Sequence, residues 1–82
     1  MQSNFGKWLK AQILREGLSQ SALAERLEVS PACITQYMNG ITCPGVAMLV
    51  RICHQLGVED MTEPAECIYF DEARRMMRKL SA

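Results

Sequence analysis

The chain has 82 residues, enough for one domain with one modest core, and its longest apolar run falls far short of the roughly 18 residues a membrane-spanning helix needs. Nine basic side chains balance nine acidic ones, so no overall positive charge marks a nucleic-acid partner, while 49% apolar content is that of a globular domain. The cysteines, Cys33, Cys43, Cys53 and Cys67, lack the ligand spacing of about two to four residues, and His54 beside Cys53 is the only close pair, so no metal is expected.

The first residues, MQSNFGKWLK, carry no basic start followed by an apolar block, which makes the cytoplasm the expected compartment. Phe5, Trp8, Leu9 and Ile13 then repeat at helical spacing, and Gly17 stops the run, giving a first helix of about three turns with a core-facing stripe. Lys7 and Lys10 lie off that stripe, available to solvent or to phosphates.

Residues 19–40 read as two short helices around a tight turn. Ser19 caps the first, whose apolar face is Leu23, Ala24 and Leu27, with Ala24 small enough for a close, steep crossing. Glu28 and Val29 make the turn. Ser30 then caps a second helix that opens on Pro31, buries Ile34, Tyr37 and Met38, and stops at Gly40. Its other face, Ala32, Thr35, Gln36 and Asn39, is small, hydrogen-bonding and outward.

Beyond the pair, Pro44 opens a fourth helix through Leu56, closed by Gly57, with Val46, Leu49, Ile52, Cys53 and Leu56 as its buried face. Val58 and Met61 add anchors. Thr62, Glu63 and Pro64 mark a break or a helix start, and Cys67 to Phe70 reads either as extended chain or as a first helical turn. A last helix of about residues 71–80 follows, with Asp71 and Glu72 at its N-terminus and Arg74, Arg75, Arg78 and Lys79 toward its C-terminus, matching the helix dipole. Its apolar side, Ala73, Met76, Met77 and Leu80, has two destinations, the chain's own core or a twin subunit, and the twin is favoured. Charge divides along the same line, since five basic residues meet three acidic ones through residue 58 and four meet six beyond it. The helix-pair half is the positive half.

The stretch L-S-Q at 18–20, A-L-A at 22–24, V-S-P at 29–31, Ile34 and N-G at 39–40 resembles the phage-repressor helix-turn-helix, the Cro/CI-like or XRE family, over roughly residues 4–61. Two positions depart from that pattern. Glu28 stands where the family usually has Gly, which demands a strained backbone or another turn, and residues 30–40 hold no charged group. The resemblance implies an all-α, compact four- to five-helix bundle of the lambda-repressor-like DNA-binding type. In it residues 1–61 form the DNA-binding bundle, and residues 62–82 a C-terminal extension of the same domain whose helix serves dimerisation.

What the resemblance implies for function follows residue by residue. Gln20 donates to a backbone phosphate and braces the second helix, Asn39 makes a further phosphate contact, and Ser30, first a cap, makes a secondary one. Pro31, Ala32, Thr35 and Gln36 face the bases, with Gln36 matched to adenine N6/N7 and no arginine fork for guanine. The implied activity is a sequence-specific double-stranded DNA-binding transcriptional regulator, a dimeric repressor such as a phage control protein or an autoregulator. The alternative is a protein-interaction module or antitoxin of the same fold acting through protein contacts, which the zero net charge favours. No enzyme, cofactor or membrane partner is expected. His54 has no catalytic companions, and there is no glycine-rich phosphate loop.

Overall fold

Serines start the first three helices. In the computed structural model, which describes residues 3–81, Ser3 Oγ accepts from the Gly6 N–H at 2.9 Å, Ser19 Oγ from Ala22 at 3.0 Å and Ser30 Oγ from Cys33 at 3.3 Å. Each such cap stabilises its helix by about 1 kcal/mol. They open α1 (Asn4–Glu16), α2 (Gln20–Leu27) and α3 (Pro31–Met38). Then come α4 (Val46–Gln55), which begins on Gly45 without a side-chain cap, and α5 (Thr62–Ser81), where Asp60 Oδ1 accepts from the Thr62 N–H at 2.9 Å.

Four helices end in a residue with positive φ: Gly17, Glu28, Gly40 and Gly57. Glu28, at φ 58°, is the one non-glycine, and it takes the strained alternative rather than another turn type. The strain holds because the stop is fully bonded: Glu28 N–H donates to the Glu25 carbonyl at 3.1 Å and Val29 N–H to the Ala24 carbonyl at 3.0 Å. A side chain in this region costs about 1–2 kcal/mol, and glycine returns about 0.5–1 kcal/mol of that in unfolded-chain entropy. Glu28→Gly is therefore expected to stabilise the protein by about 0.5–1 kcal/mol, read as a higher urea midpoint with unchanged slope. An unmoved midpoint would mean the glutamate is not strained.

The stripes named from spacing form one core. Phe5, Leu9, Leu23, Leu27, Ile34, Ile52 and Leu56 are almost wholly buried, Ala24 sits 1% exposed in the α2–α3 crossing, and Val29 packs against the same cluster. Phe5 stacks on Trp8 at 5.6 Å between centroids and meets the Tyr37 ring edge-on at 6.4 Å. Burial, and then a hydrogen bond with Cys33, push the Tyr37 phenol up to about 12 from an ordinary 10, and burial pushes the Cys43 thiol up to about 11 from 9. Both groups are neutral in the fold. Their stabilisation is complete below pH 9 and is lost as pH rises toward 11 and 12. Thermal melts should hold level to pH 9 and fall above it, less steeply for Tyr37→Phe; identical slopes for the two proteins would refute the assignment.

Two expectations are corrected. The C-terminal helix does not begin near residue 71: Thr62–Ser81 is one helix of 20 residues, so residues 62–70 are helical and Asp71 and Glu72 lie mid-helix. Pro64 is tolerated because it stands in the first turn, where its missing N–H would have no helical partner. Pro64, Cys67, Ile68 and Asp71 then fall on one side, which packs mainly on α1. Val46 does not belong to the buried face, being 81% exposed, because α4 starts at that residue and not at Pro44, which is itself buried before it. His54 is exposed.

Charges from later helices occupy the ends of earlier ones. The Arg51 guanidinium on α4 donates to the Leu27 carbonyl at the end of α2, and Arg75 on α5 donates to the Gly40 carbonyl after α3 at 3.1 Å. Asp71, 7% exposed, accepts from the N–H groups of Asn4 at 3.0 Å and Phe5 at 2.9 Å at the start of α1. Each sign suits the end it meets, an anion at an N-terminus and cations at C-termini. This ties α1, α3 and α5 together at one corner of the bundle.

Candidate nucleic-acid interface

The α2–α3 pair exposes one continuous edge. Gln20, Ser30, Pro31, Ala32, Thr35, Gln36 and Asn39 are all exposed, while Ile34, Tyr37 and Met38 on the opposite side of α3 are buried. The edge is therefore set by the core beneath it. Ser30 and Pro31 fix where α3 begins, and Gly40, in the left-handed region, fixes where it ends, with Ile41 N–H donating to the Gln36 carbonyl at 3.0 Å.

Within that edge the polar groups are partly engaged. The Thr35 hydroxyl shares its one hydrogen between the Pro31 carbonyl at 3.2 Å and Gln20 Oε1 at 3.4 Å, so that hydrogen is directed inward and the methyl and remaining lone-pair capacity face outward. The same contact sets the Gln20 amide, with its oxygen toward α3 and its nitrogen, a donor, left over. Gln20 thus braces α3 across the turn. Ser30 Oγ receives the Cys33 N–H and keeps its own hydrogen. Among the described residues, the Gln36 and Asn39 side chains make no internal hydrogen bond.

Asn39 opens onto a feature that the linear order hides. A cleft of about 240 Å³ is lined by Ser3, Asn39, Gly40, Asp71, Arg74, Arg75 and Arg78. Three of the four basic residues assigned above to the acidic C-terminal part stand beside the end of α3. The signal was the i, i+4 pair Arg74 and Arg78, which shares one side of a helix, but without α5's crossing that side has no address. Lys7 and Lys10 are exposed on α1. Among the described residues no group of three or more His, Cys, Asp or Glu could hold a metal ion.

A helix-turn-helix family, of the XRE or Cro/CI-like type, matches residues 9–60. The chain belongs to that family. No curated protein and no solved structure matches it. The match ends before α5, so the family covers α2, α3, α4 and most of α1 but leaves the C-terminal helix outside. Helix-turn-helix chains of this kind are DNA-binding transcription regulators, and the five-helix, all-α architecture is that of the family. No helix among the described residues is long and apolar enough to cross a membrane.

Proposed function

We propose that the chain is a sequence-specific repressor that binds double-stranded DNA as a homodimer in the cytoplasm, with α3 in the major groove. The observation that carries this reading is the exposed edge of α3, held in position by the Thr35–Gln20 contact and backed by a fully buried opposite side. Gln20, through its amide nitrogen, Ser30, through its hydroxyl hydrogen, and Asn39 contact phosphates. Gln36 pairs with adenine N6/N7. Thr35, its hydrogen turned inward, accepts from a base amino group or packs its methyl on thymine, and Pro31 and Ala32 offer apolar contact to a thymine methyl.

The dimer rests on α5. Tyr69, Phe70, Met76, Met77 and Leu80 are 52–77% exposed, and with Ala73 they form one side of the helix opposite Asp71 and Arg75, the side turned to the bundle. So long an apolar face on so small a protein is suited to a two-fold copy of itself. Selection from a random duplex library is expected to return an inverted repeat with half-sites about one helical turn apart. In that operator, Gln36→Ala should lose about 1–3 kcal/mol at one base pair of each half-site. A uniform loss over all sequences would sink the base-contact role.

The uncharged α3 and the same apolar face of α5 favour a second reading, an interaction module or antitoxin that works through protein contacts. The two part on salt. Groove binding releases counterions and weakens steeply as salt rises, whereas docking on an apolar face does not.

A further inference from the structure

We infer that Arg74 and Arg78 of α5, with Asn39 at the end of α3, form a clamp for a DNA backbone phosphate, so that the helix outside the family match supplies the charge that the recognition helix lacks. The inference rests on the DNA-binding reading and extends it to residues beyond the helix-turn-helix.

Three observations converge. Asn39 continues the exposed stripe of Ala32, Thr35 and Gln36, and it lines the same cleft as the two arginines, so a phosphate at the C-terminal end of α3 lies within the arginines' neighbourhood. The cleft's other charges are already committed: Asp71 accepts two N–H groups at the start of α1, and Arg75 is held by the Gly40 carbonyl and by Glu72 at 3.4 Å. Arg74 and Arg78 are exposed, and among the described residues neither has an ion-pair or hydrogen-bond partner. Two guanidiniums one helical turn apart, beside a neutral amide, suit a phosphodiester, whose oxygens take the paired N–H donors of arginine. The α3 edge carries no cation of its own, so the steep salt dependence expected of groove binding must come from elsewhere, and this cleft adjoins the edge through Asn39, which lines it.

The test compares salt titrations of operator binding by the full chain, by Arg74→Ala/Arg78→Ala, by Arg74→Lys/Arg78→Lys and by Gln36→Ala. Each neutralised phosphate adds about 0.9 to the slope of log affinity against log salt. The double alanine variant should thus lose about 0.9 from the slope per subunit, so that going from 50 to 200 mM salt weakens it roughly three- to fourfold less per subunit than the parent. Its base preferences should not change. The lysine pair should keep the slope, because the charge remains, and Gln36→Ala should lose selectivity at one base pair with the slope intact. An alanine variant with native helical circular dichroism and the parental slope overturns the clamp while leaving DNA binding standing. Should the alanine pair fail to fold, Arg74→Gln/Arg78→Gln replaces it with the same expected slope. Absence of any preferred duplex for the parent protein defeats the underlying reading instead. Inorganic phosphate that shifts the Arg74 and Arg78 resonances, together with an unchanged slope in the alanine variant, would reassign the cleft to a free anion and overturn the clamp.

Discussion

Gly6→Ala should destabilise the protein by about 3 kcal/mol or more, a large share of the roughly 5–15 kcal/mol that holds a small domain together. Helix propensity alone argues the reverse, since alanine in a helix interior is better than glycine by about 1 kcal/mol. Packing decides the sign. A Cβ at Gly6 would overlap the Met38 carbonyl oxygen and lie 2.9 Å from its carbon, and both are backbone atoms that no rotamer change can move aside. The α1 and α3 axes would have to separate, and the corner offers little room for that. On its other side a Cβ at Gly40 would meet Ser3 Cβ at 2.9 Å, so α1 and the end of α3 are in close contact at two points. Urea titration gives the loss directly. A midpoint equal to or above the parent's would show that α1 can shift freely, and the tight corner would then not position Asn39.

The parts of this structure that were legible beforehand are those decided by neighbours in sequence. Ser19, Ser30 and Pro31 start α2 and α3 through bonds no more than three residues long, and the spacing of Leu23, Ala24, Leu27, Ile34, Tyr37 and Met38 selects the buried side, so the exposed edge follows by subtraction. Glu28 in place of glycine implies either a strained backbone or another turn, and its positive φ shows the strained backbone. What the sequence hides is decided at long range. Gly6 looks like an indifferent helix residue until Met38 arrives across α3. Pro64 and the run from Cys67 to Phe70 look like an interruption because local preference there conflicts with packing, and burial of Cys67 and Ile68 against the bundle favours one continuous helix. The arginines of α5 look like a dipole match for their own helix, yet Arg75 serves the end of α3, some 35 residues away.

Asp71→Asn should cost about 2–3 kcal/mol and lower the melting temperature by about 10–20 °C. As a carboxylate, Asp71 accepts from two backbone N–H groups with its two oxygens, Oδ1 from Asn4 and Oδ2 from Phe5. Those donors are among the four that an α-helix cannot satisfy by itself, and the Phe5 bond is buried, so no water replaces a lost acceptor there. Asparagine keeps the shape but has one acceptor oxygen, and its NH2 would face an N–H donor. One charge-assisted bond of about 1.5–3 kcal/mol is lost together with the favourable interaction between the anion and the helix dipole. Amide hydrogen exchange identifies the cause: protection should fall at Asn4 and Phe5 before it falls at Ala22 or Cys33, whose caps lie elsewhere. A melting temperature within about 2 °C of the parent would mean that Asp71 contributes no capping energy, since each kcal/mol moves a domain of this size by about 4–8 °C. The consequence reaches the proposed interface, because Asp71 is one turn from Arg74 and Arg75 on the same helix. With its carboxylate gone, α5 loses its charged anchor on α1 at the point where it brings the arginines to the end of α3. Operator affinity should then fall more than folding alone explains, measured at a temperature where the variant is still fully folded.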